Sequence, residues 1–364
     1  MNILFISAEP IRSGQASETH INEIVRGLAA AGHEVTICST GAIGPYDKTS
    51  VTRRLAAYLV FWIAALRRLS RATLIYARAH PFNFPIAAIA RICRIPSVQE
   101  INGTYNDISI THSWLSPFRG LMRGLYRFQY RRASALITVT AGLADWVRGE
   151  APNVPVHVVL NGVNCDIFCP APPVRAVENE YALFFGSLTQ WHGIETMIRA
   201  AESCEWPSGL DLVIIGDGQL AWMAQQAAAR NCRIHALASV PQSLLVGYIA
   251  GALVGLVPIN RVGERGRFGL SPLKLYEMLA CGLPVIVTEF PGQADLVRSL
   301  NAGLVVPPDD PSALAGAVSR LHREPPRREE MLKIASIIKA EHDWGNRVAE
   351  TNKILNGVVQ QGTL

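Results

Sequence analysis

A lysine and a glutamate that share one helical face are the clearest candidates for ligand chemistry in this sequence. Lys274 and Glu277 are three positions apart within SPLKLYEMLACGLP, residues 271–284, a segment that predicts a helix. Lys274 falls in the first turn, where the helix dipole disfavours a cation unless an anion is bound there too. Because a helix N-terminus is a natural phosphate site, the pair predicts an anion beside Lys274 and ligand hydroxyls beside Glu277. The alternative is an ion pair on the protein surface.

Residue types mark both ends of this helix. Ser271 can accept a backbone N–H of the first turn, and Pro272 is tolerated at the first helical position. Gly282 suits the left-handed residue after a helix, and Pro284 prevents continuation. The apolar residues 285–288 then predict a buried strand.

The loop before the helix, residues 260–269, is basic and rich in glycine. It carries Arg261, Arg265 and Arg267 with a single acidic residue, Glu264. A basic loop directly before a helix N-terminus favours an anionic ligand at this place.

The start of the chain has the pattern of a doubly wound sheet. A buried strand at 2–7, a polar loop at 12–17, a helix and a strand at 35–38 follow one another. In such sheets the loop after the first strand lies where ligands bind. Gly14 is the single glycine of that loop, so the dinucleotide fingerprint is missing and a nicotinamide enzyme is disfavoured.

A second polar cluster follows the strand predicted at 97–101. Asn102 and Asp107 come just after this strand, and Glu100 lies near its end. Polar side chains at the carboxyl end of a parallel strand lie where doubly wound sheets bind their ligands. Asn102 followed by Gly103 is also a common turn.

The charge of the chain is unevenly distributed. Residues 1–170 carry 17 Lys and Arg against 10 Asp and Glu, a net charge of +7, whereas the remainder has a net charge of −2. A basic half favours an anionic partner, either a membrane or a nucleic acid. Arginines interleave with large apolar residues at 51–72 and 117–132, so we expect an anionic membrane and no nucleic acid. The alternative is two helices that cover the sheet.

Composition limits the classes of protein that remain. The 364 residues are 49% hydrophobic and 17% charged, which is typical of a globular chain long enough for two domains. The longest uncharged apolar run, 55–66, has twelve residues and is too short to cross a bilayer. Seven irregularly spaced cysteines favour reduced thiols and a cytoplasmic protein. The basic stretches add the expectation that it lies at the inner face of the membrane.

The helix at 271–284 resembles the C-terminal signature of glycosyltransferase family 4, the glycosyl transferases group 1 set. Members carry a Glu-x7-Glu motif and end in a segment like ACGLPVI, which stands here at 280–286. Glu277 matches the second glutamate, which in the family binds the ribose of the donor. The first glutamate would fall on Gly269, so a side-chain contact to the donor sugar is missing there. A subset of the family shares the sequence SPLKLYE, which stands here at residues 271–277.

Other segments extend this resemblance over nearly the whole chain. Gly14 and His20 match the glycine loop and helix start of the family, and NGVN at 161–164 matches the NGVD before its interdomain linker. Residues 186–193 resemble the G-x-L-x-x-x-K-G loop that holds the donor diphosphate, with His192 at the lysine position. An unperturbed imidazole gains charge only below about pH 6.5. Lys274 is therefore the remaining cation for the diphosphate.

The resemblance implies an α/β protein with the GT-B fold, two doubly wound Rossmann-like domains facing an interdomain cleft. Residues 1–168 would bind the acceptor, with the tail from about 345 to 364 packed back on them, and residues 169–344 would bind the nucleotide sugar. It implies a retaining hexosyltransferase that moves a sugar from a nucleoside diphosphate sugar to a glycan or lipid-linked acceptor in polysaccharide or glycolipid synthesis. Two alternatives remain open, a GT-B sugar-nucleotide epimerase and a non-catalytic sugar-nucleotide-binding subunit.

The resemblance and the residues together give one candidate site. We expect no cofactor and no metal, because Asp309 and Asp310 lie in a turn before a helix and no other carboxylate pair stands in a suitable loop. The catalytic candidates are Asn102, which takes the active-site position that is often histidine in the family, with Glu100 and Asp107. The donor-binding candidates are Gly14, Gly186, Ser187, His192, Asp217, Arg265, Arg267, Ser271, Lys274 and Glu277.

Overall fold

The computed structural model describes residues 1–9, 11, 15–41, 51–107, 110 and 117–362. The chain divides into two compact units, the first made of residues 1–160 and 345–364 and the second of residues 161–344. Within the described residues, each unit contains one six-stranded parallel sheet. The predicted α/β class with two doubly wound sheets is confirmed.

The first unit has the strand order β2-β1-β3-β4-β5-β6. The strands at 2–7, 74–78 and 97–101 are buried along almost their whole length, because both faces of a parallel sheet are covered. The strands predicted at 2–7 and 97–101 are confirmed at both ends. Its elements are β1 (Asn2–Ser7), α1 (Ala16–Ala30), β2 (Glu34–Ser39), α2 (Val51–Leu69), β3 (Leu74–Arg78), a 3-10 turn (Pro81–Asn83), α3 (Phe84–Ile92), β4 (Ser97–Ile101), α4 (Arg119–Tyr130), β5 (Ala135–Thr138), α5 (Ala141–Glu150) and β6 (Val156–Val158).

The second unit has the strand order β12-β11-β10-β7-β8-β9. Alternate residues of its central strands enter two different apolar cores: Leu183 and Phe185 lie in one, Ala182 and Phe184 in the other. Helices therefore cover both faces of the sheet. Its elements are β7 (Glu180–Phe185), α6 (Ile194–Glu202), β8 (Leu210–Ile215), α7 (Ala221–Arg230), β9 (Ile234–Leu237), α8 (Gln242–Gly251), β10 (Val254–Val257), α9 (Leu273–Ala280), β11 (Val285–Thr288), α10 (Gln293–Leu300), β12 (Gly303–Val306), α11 (Pro311–Arg323) and α12 (Arg328–His342).

The last helix, α13 (Trp344–Gly362), lies almost wholly in the first unit. His33 follows α1 closely in the chain, and its Nε2 atom lies 2.7 Å from Oδ1 of Asn352 in α13. The α1 glycine Gly27 faces Val348 so closely that a Cβ at this position would overlap the valine side chain. The C-terminal helix thus packs against α1.

Residues 161–168 pack in the second unit rather than the first. Val163 pairs with Asp343 in an isolated parallel bridge, and its backbone N–H donates to the carbonyl of His342. Phe168 is 1% exposed and belongs to a core of the second sheet. No helix among the described residues is both long and apolar enough to cross a bilayer.

Candidate functional site

Lys274 lies at the point where the second sheet reverses its strand order. The chain adds β8 and β9 on one side of β7 and then returns to add β10 on the other side. In doubly wound sheets ligands bind outside the carboxyl ends of the strands at such a reversal. The Nζ atom of Lys274 lies 3.9 Å from the centre of the Phe184 ring, on β7. A Cβ added to Gly186, just after β7, would lie 3.2 Å from the same Nζ.

This lysine is buried and has no hydrogen-bond partner among the described residues. Only 8% of its surface is exposed, and no described residue accepts a hydrogen bond from its Nζ atom. Burial lowers the pKa of Lys274 to about 7, although the nearby Glu277 carboxylate raises it in part. A buried ammonium group is costly unless an anion or hydrogen-bond acceptor compensates it. The surroundings of Lys274 therefore suit an anionic ligand.

Glu277 is the second buried ionisable group of α9. It is 7% exposed, and burial raises the pKa of its carboxyl to about 7 while Lys274 lowers it in part. Among the described residues, its carboxylate oxygens lie more than 4.0 Å from Lys274 Nζ, so the two groups do not form an ion pair. The interpretation of these two residues as a surface ion pair is wrong, because every residue of α9 is buried.

The start of α9 differs from the sequence prediction. The helix begins at Leu273 with Pro272 at the cap position, and no side chain caps it. The Ser271 hydroxyl is instead 2.9 Å from the Tyr276 hydroxyl, and it accepts a hydrogen bond of 3.2 Å from the Asn161 backbone N–H. Ser271 therefore ties α9 to the segment after β6. The predicted ending is confirmed, since Gly282 has φ of +76°.

Glycines allow the loops after β7 and β8 to touch. Gly186 and Gly216 have φ of +120° and +149°, conformations that L side chains rarely adopt. A Cβ at position 216 would overlap the carbonyl oxygen of Gly186. The Leu188 N–H also donates to the Asp217 carbonyl over 2.8 Å. The backbones of the two loops are therefore in direct contact at the ends of β7 and β8.

His192 is held in this loop as a neutral imidazole. Its Nδ1 lies 2.6 Å from the Ser187 carbonyl oxygen and 2.9 Å from Thr189 Oγ1. Because a carbonyl only accepts, Nδ1 carries the proton and donates to it. Burial and the positive charges of Lys274 and Arg265 lower the pKa of His192 well below its ordinary value, although the Ser187 hydrogen bond opposes this. The expectation of an unperturbed imidazole is therefore wrong.

The structure brings some of the other donor-binding candidates together and separates others. Arg265 lies over the Trp191 ring at 4.4 Å from its centre, close enough to Lys274 for both charges to act on His192. Arg267 is exposed and pairs with Glu264 over 2.8 Å. Asp217 is exposed, and its carboxylate accepts from the Ser239 N–H over 3.2 Å. Gly14 lies outside the described residues.

In the first unit, Glu100 is the centre of a buried hydrogen-bond network. It is 1% exposed, and its two oxygens accept from His20, Tyr76, Arg78 and Asn102 at 2.9, 2.5, 3.3 and 2.6 Å. Burial alone would raise its pKa, but the His20 and Arg78 charges and the hydrogen bonds hold it well below the usual range. Glu100 is thus an ionised carboxylate enclosed by its own chain.

Asn102 and Asp107 differ in what their side chains face. Asn102 is exposed just beyond β4, with its amide nitrogen bound to Glu100. Asp107 is half-buried, and it accepts from the N–H and the hydroxyl of Thr104 at 3.1 and 3.3 Å. Gly103 leaves room for that carboxylate, since a Cβ there would overlap it. Among the catalytic candidates, Asn102 is therefore the side chain open to a ligand.

Sequence profiles of known families match most of the chain. Residues 17–167 match Glycosyltransferase Family 4, and residues 179–324 match Glycosyl transferases group 1. The chain belongs to glycosyltransferase family 4. A relative in Methanocaldococcus jannaschii, described as an uncharacterized glycosyltransferase, is 24% identical to this chain. The alignment has 368 positions, gaps included, and covers 91% of this chain and 92% of the relative.

Solved structures of related shape show the GT-B fold. The sucrose-phosphate synthase of Thermosynechococcus elongatus superposes with a TM-score of 0.79 at 16% identity, covering 99% of both chains. The Anabaena protein HepE in complex with UDP-glucose superposes with a TM-score of 0.70 at 16% identity, covering 98% of this chain and all of its own. Family 4 membership and this fold agree with the resemblance.

Sequence reasoning missed several residues that shape the site. Two of them contact a cation through the face of an aromatic ring, Phe184 and Trp191. The other two donate hydrogen bonds to Glu100, one from the Tyr76 hydroxyl and one from the Arg78 guanidinium group. Phe184 and Tyr76 look like ordinary core residues of buried strands, so only their three-dimensional neighbours reveal them. Arg78 had a visible signal, since an arginine at the end of an apolar strand is unusual.

Proposed function

We propose that this family 4 glycosyltransferase moves a hexose from a nucleoside diphosphate sugar to a hydroxyl of a glycan or lipid-linked acceptor, with retention of configuration, in polysaccharide or glycolipid synthesis. The sugar-transferring class follows from the family. The donor class is supported by HepE, a protein of the same fold whose structure contains UDP-glucose. Retention is the stereochemistry that the family resemblance implies.

The observation that carries this proposal is the state of Lys274. Its ammonium group is buried and unpartnered within the described structure, and it lies at the strand reversal beside Gly186. The loops after β7 and β8 bring backbone rather than side chains to the same place. A diphosphate there would supply the acceptor oxygens that Lys274 lacks, with further donors from the start of α9.

The proposed reaction breaks the bond between the sugar C1 and the diphosphate oxygen. A bond forms between C1 and the acceptor oxygen. The proton of the acceptor hydroxyl is transferred to an oxygen of the leaving diphosphate. Negative charge builds on the leaving diphosphate, so fixed cations stabilise the transition state more than the ground state. Lys274 and Arg265 supply that charge, and His192 stays neutral.

Glu277 and Asn102 take the remaining roles. The Glu277 carboxylate is buried one turn after Lys274, and a carboxylate can accept hydrogen bonds from the two hydroxyls of a ribose. Asn102, in the first unit, contacts a hydroxyl of the acceptor. Glu100 and Asp107 act through the residues that they hold, because their oxygens already accept hydrogen bonds from the protein.

We also propose that α2 attaches the enzyme to an anionic membrane. Five apolar side chains of this helix are 36–65% exposed, and Arg67 and Arg68 follow in its last turn. In the other predicted stretch, α4, two of the arginines are paired within the protein, since Arg123 and Arg127 both contact Glu150. The apolar face of α2 consists of Leu55, Leu59, Val60, Ile63 and Leu66.

A non-catalytic binding subunit is the second candidate, and one observation favours it. Position 269 is a glycine with φ of +93°, so no carboxylate stands where the family has its first glutamate. A binding subunit would hold the nucleotide sugar without releasing its nucleoside diphosphate. An epimerase would convert the sugar without an acceptor.

A panel of nucleotide sugars tests the donor site. We expect one of them to raise the melting temperature of the wild-type protein, because a ligand that binds the native state stabilises it. The same ligand should give little shift with Lys274→Met. Release of nucleoside diphosphate with a glycan or lipid acceptor separates the enzyme from a binding subunit. No shift with any nucleotide sugar would contradict the proposed function.

A further inference from the structure

The side-chain amide of Asn102 has a fixed orientation. Its nitrogen lies 2.6 Å from Glu100 Oε1, and its oxygen has no hydrogen-bond partner among the described residues. An ionised carboxylate can only accept hydrogen bonds, so the amide nitrogen and not the oxygen must face Glu100. The oxygen is therefore the atom that the exposed Asn102 turns away from the protein.

Glu100 is itself held in place from three sides. His20 of α1 and Tyr76 of β3 contact Oε2, while Arg78 of β3 shares Oε1 with Asn102. Arg78 also reaches the Glu9 carboxylate at 3.9 Å, beyond the end of β1. One helix and one strand, α1 and β3, thus fix a carboxylate on β4 whose remaining contact is the Asn102 amide.

From this geometry we infer that Glu100 is a positioning residue, which makes Asn102 present a carbonyl oxygen that accepts a hydrogen bond from a substrate hydroxyl. This rests on the proposed function and adds the chemical class of the group that Asn102 recognises. A carbonyl oxygen attracts a hydroxyl or ammonium donor and repels a phosphate or carboxylate. The anionic parts of donor and acceptor therefore bind elsewhere.

Isosteric exchanges test this inference without removing volume from the core. Asn102→Asp keeps an oxygen that can accept but places a second carboxylate against Glu100. We expect it to lower kcat/KM about ten- to a hundredfold, as much as Asn102→Ala does. Asn153→Asp adds the same charge at an exposed position of the same unit and is the matched control, with unchanged activity.

Glu100→Gln supplies the rescue. A glutamine can turn its oxygen toward Asn102 and its NH₂ toward the Tyr76 hydroxyl, so this variant alone should lose only a few-fold in activity. When Glu100→Gln is combined with Asn102→Asp, the glutamine can turn its NH₂ to the new carboxylate instead. We expect this double variant to recover at least about tenfold over Asn102→Asp alone. Equal losses from Asn102→Asp in both backgrounds would overturn the inference.

A readout without turnover keeps the test independent of the proposed function. In protein labelled with ¹⁵N-asparagine, the side-chain signal that disappears in Asn102→Ala belongs to Asn102. Its NH₂ protons should exchange with water more slowly than those of exposed Asn153, because they are bound to Glu100. Exchange as fast as that of Asn153 would overturn the orientation. If the wild-type protein transfers no sugar, the proposed function fails while this measurement still decides the position of the amide.

Discussion

Lys274 is a residue at which stability and function oppose each other. Its pKa falls from the ordinary 10.5 to about 7 on folding, mainly because it is buried. Between these values the unfolded chain binds more protons, so stability rises with pH through this window and the penalty is complete below about pH 7. The penalty at neutral pH is on the order of a few kcal/mol. A protein that keeps such a group has a use for its charge.

Lys274→Met should therefore stabilise the ligand-free protein and abolish most of its activity. Methionine fills a similar volume without a charge, so we expect a higher melting temperature at pH 7 and a smaller gain at pH 9. Losing a cation that stabilises the leaving diphosphate should lower kcat/KM on the order of a hundredfold. Lys333→Met, at an exposed position of α12, is the control and should change neither quantity. Near-normal turnover of Lys274→Met would show that the donor site lies elsewhere.

His192 gives a prediction about pH. Burial and the charges of Lys274 and Arg265 keep its pKa well below the ordinary value, so the imidazole does not gain charge near pH 6.5. His192→Gln should lower kcat/KM less than Lys274→Met does. The factor by which His192→Gln lowers kcat/KM should stay constant from pH 6 to pH 8. The measurement is the ratio of wild-type to variant kcat/KM across this range. A ratio that climbs below pH 6.5 would mean that the imidazole does become charged and takes part in diphosphate binding.

At the scale of elements, α2 and α4 show how similar sequences can serve different purposes. Both combine arginines with large apolar residues. In α4 the salt bridges of Arg123 and Arg127 to Glu150 neutralise two charges, and Met122, Tyr126 and Tyr130 are buried. In α2 the apolar residues on one face stay exposed. We therefore propose α2, rather than α4, as the helix that contacts a membrane.

A charge on the exposed face of α2 should weaken this attachment. Val60 is 65% exposed, so Val60→Glu should leave folding intact while it repels anionic lipid. We expect wild-type protein to float with anionic liposomes at low salt and less so at high salt, and the variant to stay in solution under both conditions. Leu244→Glu replaces a similarly exposed apolar residue, 54% accessible, in the second unit and should float like wild type. Equal behaviour of all three proteins would remove the role of α2.

For the molecule as a whole, we expect activity without a divalent metal. In the proposed reaction Lys274 and Arg265 provide positive charge for the leaving diphosphate, which is a task that a bound metal ion can also perform. Treatment with a chelator should leave the initial rate of sugar transfer unchanged. Loss of activity on chelation, with recovery on addition of Mg²⁺ or Mn²⁺, would contradict this expectation.

The sequence by itself determined the fold and predicted the helix on which the candidate donor site lies. Apolar strands alternating with amphipathic helices specify doubly wound sheets, and strand ends such as 97–101 are marked by local residue types. Family motifs placed Lys274 and Glu277 on one helix. These features depend on neighbours along the chain, so a linear pattern carries them.

Only the tertiary structure decided how the site residues are used. Burial of Lys274 depends on strands far away in sequence, and so does the strand reversal at which its ammonium group lies. Ser271 could not be read as a contact of Asn161 and Tyr276, because Asn161 is 110 positions away. In the sequence nothing near Glu100 indicates a partner for its carboxylate, but in the structure His20, 80 positions away, contacts it. Charge state and hydrogen-bond partners follow from such distant contacts, because desolvation and Coulomb energies depend on spatial neighbours rather than on sequence order.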